Sequence, residues 1–160
     1  MIKDCEFLEG AAFIRLINYG HRVTISAAAP VHQSIYLFET ETHQSAILFK
    51  HSTKQKSSWS FSLSPQEEEG LKKLRRKYSD FYRYIAFICH QDGICCVSEE
   101  NLMRILDTDT DIAGQHISVS RKARGSYSVS GPGRRKMSKS VPQTDWPRVV
   151  LSNPHEKPYE

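Results

Sequence analysis

The chain is 160 residues long, about the length of one domain, with 39% hydrophobic and 25% charged residues and a formal net charge of +4 from 22 Lys+Arg against 18 Asp+Glu. No run approaches the ~18 apolar residues that span a bilayer, and the opening MIKDCEFLEG carries acids where a secretory signal needs a basic and then an apolar segment. The chain reads as soluble, non-secreted and cytoplasmic, with Cys5, Cys89, Cys95 and Cys96 as reduced thiols.

Lys3 to Asn18 reads as a helix whose buried stripe is Phe7, Ala11, Ile14 and Ile17, widened by Leu8, Ala12 and Leu16, with Gly20 as its stop. Three strand-length segments follow: Arg22 to Ala27, Ser34 to Glu39 (SIYLFE) and Ser45 to Lys50 (SAILFK). The last two are apolar on both faces, as strands inside a doubly covered sheet are. Ser58 to Leu63 alternates Trp59, Phe61 and Leu63 with serines, so one of its faces is expected to be wet. Ser64, Pro65 and Glu67 then open a helix as N-cap, first-turn proline and capping-box acid. Leu71, Leu74, Tyr78 and Phe81 mark its buried side, and its charges run from acidic to basic along the macrodipole.

Tyr82 to Cys89 and Ile94 to Val97 read as a strand pair around the Gln91-Asp92-Gly93 turn, and Ser98 to Leu106 as a short helix. His116 to Arg121 and Ser126 to Ser130 alternate around the basic turn RKARG as a hairpin. The fold class expected is α/β (α+β), a central mixed sheet flanked by helices, in a domain covering 1–130. Residues 131–160 hold five of the seven prolines and read as a basic, then Pro-rich flexible tail, in which Trp146 and Val149 to Leu151 are able to dock as a clip.

The net charge conceals a segregated pattern. Residues 50–83 carry 9 basic and 4 acidic side chains and residues 117–160 carry 9 and 3, against 3 and 5 in 1–49 and 1 and 6 in 84–116. Four basic segments are candidate phosphate contacts: Lys50, His51, Lys54 and Lys56; Lys72, Lys73, Arg75 and Arg76; Arg121, Lys122 and Arg124; and Arg134, Arg135 and Lys136. Each has a plainer explanation as a solvated helix face, hairpin tip or tail.

Cys89, His90, Cys95 and Cys96 lie close in sequence. Neighbours on a strand point to opposite faces, so they are expected to be buried thiols rather than ligands of one metal or a Cys/His pair. No phosphate-loop, dinucleotide, zincin or hydrolase-elbow sequence occurs.

The order helix, strands, capped helix, strand pair, helix over residues 4–106 resembles the core of the restriction-endonuclease-like (PD-(D/E)XK) superfamily. That resemblance implies a Mg²⁺ site in which an acid on one strand joins an acid-x-Lys tripeptide on the next, with the carboxylates holding the hard cation and the lysine positioning water. By place, Glu39 matches the first acid and Lys50 the lysine, with Glu6, Glu9 or Glu41 as further acids. Leu48 stands where the second acid belongs, and there is no Pro-Asp dipeptide.

The leading expectation is a nucleic-acid-binding protein with a degenerate, non-catalytic site of this kind. The alternatives are a Mg²⁺-dependent nuclease using Glu39 and Lys50, and an interaction subunit whose basic tail binds an acidic protein partner.

Overall fold

The computed structural model describes residues 1–28, 30–137 and 139–152. The elements run α1 (Asp4–Asn18), β1 (Thr24–Ala27), β2 (Ile35–Glu39), β3 (Gln44–Ser52), β4 (Trp59–Phe61), α2 (Pro65–Lys77), β5 (Tyr82–Cys89), β6 (Ile94–Ser98), α3 (Glu99–Ile105), β7 (Ile117–Arg121), β8 (Tyr127–Ser130) and α4 (Asp145–Leu151). This is a mixed α+β fold built on a five-stranded sheet of order β1-β2-β3-β5-β6. The β3–β5 pair is parallel, with α2 in the crossover between its strands, and every other pair in the sheet is antiparallel.

Both faces of that sheet are covered, and the period-two alternation of its strands divides the core in two. Ile35, Leu37, Ala46, Leu48, Ile85 and Phe87 point toward Leu71 and Leu74 of α2 and toward Trp59, Phe61, Val119 and Tyr127. Phe38, Ile47, Phe49, Ala86 and Ile88 point the other way, toward Ala12 and Leu16 of α1 and Trp146 and Val150 of α4. Helix α2 begins as its sequence dictates: Ser64 Oγ accepts from Glu67 N at 3.0 Å, and Glu67 Oε1 accepts from Ser64 N at 2.8 Å.

Three features were not legible in the sequence. First, β4 does not join the main sheet but pairs with β7 in a separate sheet of order β4-β7-β8, with Trp59 opposite Val119. Second, α1 turns a different side inward. Ala12 and Leu16 are buried, with Leu8 and Phe13 packed beside them, while Phe7, Ile14 and Ile17 face out. Both sides of this helix are apolar, so spacing alone did not determine which one meets the sheet.

Third, parts of the segment after Gly131 join the fold. Gly133 N donates to Ile105 O at 2.7 Å, Val141 bridges to Tyr127, and Trp146, Val149, Val150 and Leu151 enter the core as the expected clip. Burying Trp146 and its neighbours outweighs the entropy of ordering the proline-rich chain. The remainder of the expected tail, 153–160, lies outside the described residues.

Candidate nucleic-acid interface

The strand register separates the two residues expected to form a catalytic pair. Glu39 pairs with Gln44 at the start of β3, and Ile35 pairs with Leu48. Lys50 therefore lies six residues further along β3 from Gln44, roughly 20 Å at the rise of a strand. Glu39 and Lys50 share a face of the sheet but occupy opposite ends of it. Order along the chain placed both at strand ends without revealing that antiparallel pairing sends those ends apart.

Each group has other partners. Glu39 Oε1 accepts from Gln44 Nε2 at 3.1 Å. Lys50 Nζ donates to Glu67 Oε1 at 2.7 Å, the same oxygen that caps α2, and the Glu67 side chain is only 8% exposed. The nearest strand position across from Leu48 is the apolar Ile35.

The further acids do not fill the gap. Glu6 Oε2 accepts from Lys3 N at 2.7 Å at the start of α1. Glu9 sits against Tyr36, at 3.5 Å, on the α1 side of the sheet, and burial raises its carboxyl above the ordinary range, with the Tyr36 hydrogen bond opposing and nearby Glu6 adding. Glu41 follows β2 at the Glu39 end. These donors do not converge, so the residues expected to hold Mg²⁺ do not fit it. Among the described residues, no group of three or more His, Cys, Asp and Glu side chains could hold a metal ion.

The structure does bring together two of the four basic segments. The loop between β3 and β4 is fixed by Trp59, whose buried indole Nε1 donates to Lys54 O at 2.8 Å, and by Ser52 Oγ, which accepts from Lys54 N at 3.2 Å. The same loop touches the end of β7, where Arg121 N donates to Ser57 Oγ at 3.0 Å. Lys54 and Lys56 thus share an edge with the β7–β8 tip, which carries Lys122 and Arg124. All four are exposed, and none has an ion-pair partner within 4.0 Å among the described residues. Arg124 holds a left-handed φ of 63°, a conformation more readily adopted by glycine or asparagine. His51 is exposed near the end of β3, the side from which this loop departs.

Arg121 has a different role from the one its sequence suggests. Its Nε and Nη2 grip the two Asp92 oxygens at 2.8 and 2.7 Å, and Tyr127 Oη donates to Asp92 Oδ2 at 2.8 Å. The Arg121 hydrogen bonds hold the Asp92 carboxyl below the usual carboxylate range, against burial and with help from Tyr127. The guanidinium is thereby committed to tying the hairpin to the β5–β6 turn.

On α2, Lys72 pairs with Glu68 at 3.8 Å, Arg75 with Glu99 at 3.4 Å and Arg76 with Glu69 at 3.6 Å, while Lys73 is exposed. These pairs dilute the positive field of that face. Arg134, Arg135 and Lys136 are exposed beyond Gly133, at the end of β8 away from the Lys122–Arg124 tip.

The cysteines of β5 and β6 are buried. Cys89 and Cys95 point into one core and Cys96 into the other, which separates Cys95 from Cys96 as strand alternation requires. Burial pushes the Cys89 thiol up to about 12, and those of Cys95 and Cys96 well above the ordinary value, so none is a ready thiolate. Sequence reasoning missed Glu67 as the partner of Lys50 and Ser57 as the link between the two basic segments. Both contacts are non-local, and neither residue carries a signal beyond the capping box that already accounts for Glu67.

No family model and no curated protein matches the sequence. Among solved structures, the chain is similar to a Holliday junction resolvase from Archaeoglobus fulgidus, an archaeal hyperthermophile. The identity is 14%, the match covers 72% of this chain and 82% of that one, and the TM-score is 0.48.

Proposed function

We propose that this protein binds nucleic acid through its phosphodiester backbone, along the edge formed by residues 51–56 and 121–124, without cleaving it. The observation that carries this reading is the joining of Lys54 and Lys56 to Lys122 and Arg124 through the Ser57–Arg121 hydrogen bond. Four cations without ion-pair partners among the described residues gather on an edge whose backbone is already ordered, so binding a polyanion there costs little loop entropy. Phosphate contacts of this kind position a nucleic acid without reading its sequence, and they release counterions, which makes affinity steeply salt-dependent.

The non-catalytic part of the reading is supported by the surroundings of Lys50. Its only described carboxylate partner, Glu67, is occupied by the helix cap, and Glu39 lies at the far end of the strands. Metal-assisted hydrolysis needs carboxylates converging on the cation beside the attacking water.

The test is a fluorescence-polarisation titration of labelled duplex DNA and single-stranded RNA, run from about 50 to about 200 mM salt with a parallel Mg²⁺ cleavage assay. The expected result is salt-sensitive binding with the probe left intact. Absence of binding at the lowest salt contradicts the binding reading. Mg²⁺-dependent cleavage abolished in Glu39→Gln and Lys50→Ala contradicts the non-catalytic one.

A further inference from the structure

Helix α1 is apolar on both sides, and only one of them is used among the described residues. Ala12 and Leu16 are buried against the sheet, yet Phe7 is 64% exposed, and Ile14 and Ile17 are each 60% exposed. At about 100° per residue, Phe7, Gly10, Ala11, Ile14 and Ile17 span an arc of about 120°, a continuous outward stripe over three turns. A single exposed isoleucine needs no explanation, but a row of large apolar side chains along one helix marks a contact surface. Gly10 sits in the middle of the row with nothing within 4 Å of where its Cβ would be. Inside a helix glycine costs up to about 1 kcal/mol relative to alanine, and no neighbour among the described residues accounts for its presence.

We propose that this stripe is the interface of a homodimer, in which α1 packs antiparallel on α1 of a second copy with the two-fold axis beside Gly10. Three features select that occupant. The missing side chain at Gly10 allows the two helix backbones to approach closely where they cross. A two-fold axis at this point sets Phe7 across from Ile14 of the second copy, and Ile14 across from its Phe7, so the stripe is complementary to itself.

The bordering charges agree with the same arrangement. Asp4 and Arg15 are both exposed, and eleven residues return them to within about 20° of one another on the same flank. In an antiparallel pair like flanks meet, so each Arg15 reaches Asp4 of the other copy at both ends of the interface. A lipid surface fits less well, because the first turn carries Asp4 and Glu6, which anionic headgroups repel.

Sedimentation velocity on the full chain tests the proposal. The wild type is expected to sediment at about twice its 18.3 kDa monomer mass, and Ile14→Lys at the monomer mass with an unchanged circular dichroism spectrum. Arg15→Asp should weaken dimerisation roughly fivefold through the removal of two exposed ion pairs, and Asp4→Arg combined with Arg15→Asp should restore it. That rescue separates pairing of α1 with itself from any general effect on folding. A wild-type monomer at every concentration overturns the proposal, and a monomer that binds vesicles of anionic phospholipid assigns the stripe to lipid instead. A dimer unaffected by Ile14→Lys and by the charge exchange overturns the placement of the interface on α1.

Discussion

Lys50 and Glu67 illustrate how a residue that looks catalytic can be structural. The ammonium and carboxylate meet at 2.7 Å where β3 hands the chain toward α2, and the same carboxylate oxygen caps the helix. Removing the lysine head leaves a buried carboxylate without its cation, a change whose cost falls on stability. Lys50→Met is therefore expected to lower stability by about 1–3 kcal/mol in a urea titration while leaving nucleic-acid affinity nearly unchanged.

Glu9 provides a test with the opposite sign. Burial raises its carboxyl pKa in the folded state, so the group favours folding most when protonated, and that contribution disappears as pH rises through the raised value. Glu9→Gln should raise the melting temperature at neutral pH, with the difference vanishing below about pH 4. At this scale the sequence was readable where chemistry is local. The Ser64–Glu67 cap follows from spacing alone, and the separation of Cys95 from Cys96 follows from strand alternation. The Lys50–Glu67 pair was not readable, because nothing in either neighbourhood names the other.

Among the elements, the strands and the first three helices came from periodicity and caps, and the local β5–β6 and β7–β8 pairs from their turns, whereas long-range pairing and facing did not, and α4 falls within the expected tail. Trp59 and Val119 become neighbours only through the separate three-stranded sheet, and Glu39 and Lys50 part only through the β2–β3 register. Helix α1 has apolar residues all round, so its spacing identified a helix and not its buried side.

The C-terminal segment shows how few residues convert an apparently free arm into part of the fold. Trp146 is 3% exposed, donates its indole N–H to Ala12 O at 3.2 Å and stacks edge-on against Phe38 and Phe49. Trp146→Ala is expected to cost about 3–5 kcal/mol, measured by chemical denaturation. Gly133 presses on the end of α3, where an added Cβ would lie 2.7 Å from Ile105 O and from Leu106 O. Gly133→Ala should therefore cost about 1–3 kcal/mol. A truly free arm would leave both variants at wild-type stability.

For the whole molecule, the sheet with its two covered faces is a rigid support, and charge is what distinguishes one edge from another. A near-neutral total of +4 is consistent with a local polyanion site because the acids are engaged elsewhere: Glu68, Glu69 and Glu99 pair with the cations of α2. The β3–β4 loop and the β7–β8 tip retain theirs. A dimer through α1 would present two such edges at once and raise apparent affinity through effective concentration, with each edge unchanged.

The most direct test of nucleic-acid binding at this edge compares the salt dependence of affinity for the wild type with that of two charge-removal variants. One is Lys54→Ala, Lys56→Ala, Lys122→Ala and Arg124→Ala together, and the other is Lys73→Ala with Lys77→Ala on α2. The first variant is expected to flatten the slope of log affinity against log salt on duplex DNA by up to about 3.6, about 0.9 for each phosphate that is no longer neutralised, and the second to leave it close to wild type. An unchanged slope in the first variant, or an equal flattening in both, would contradict a binding edge at this place on the molecule.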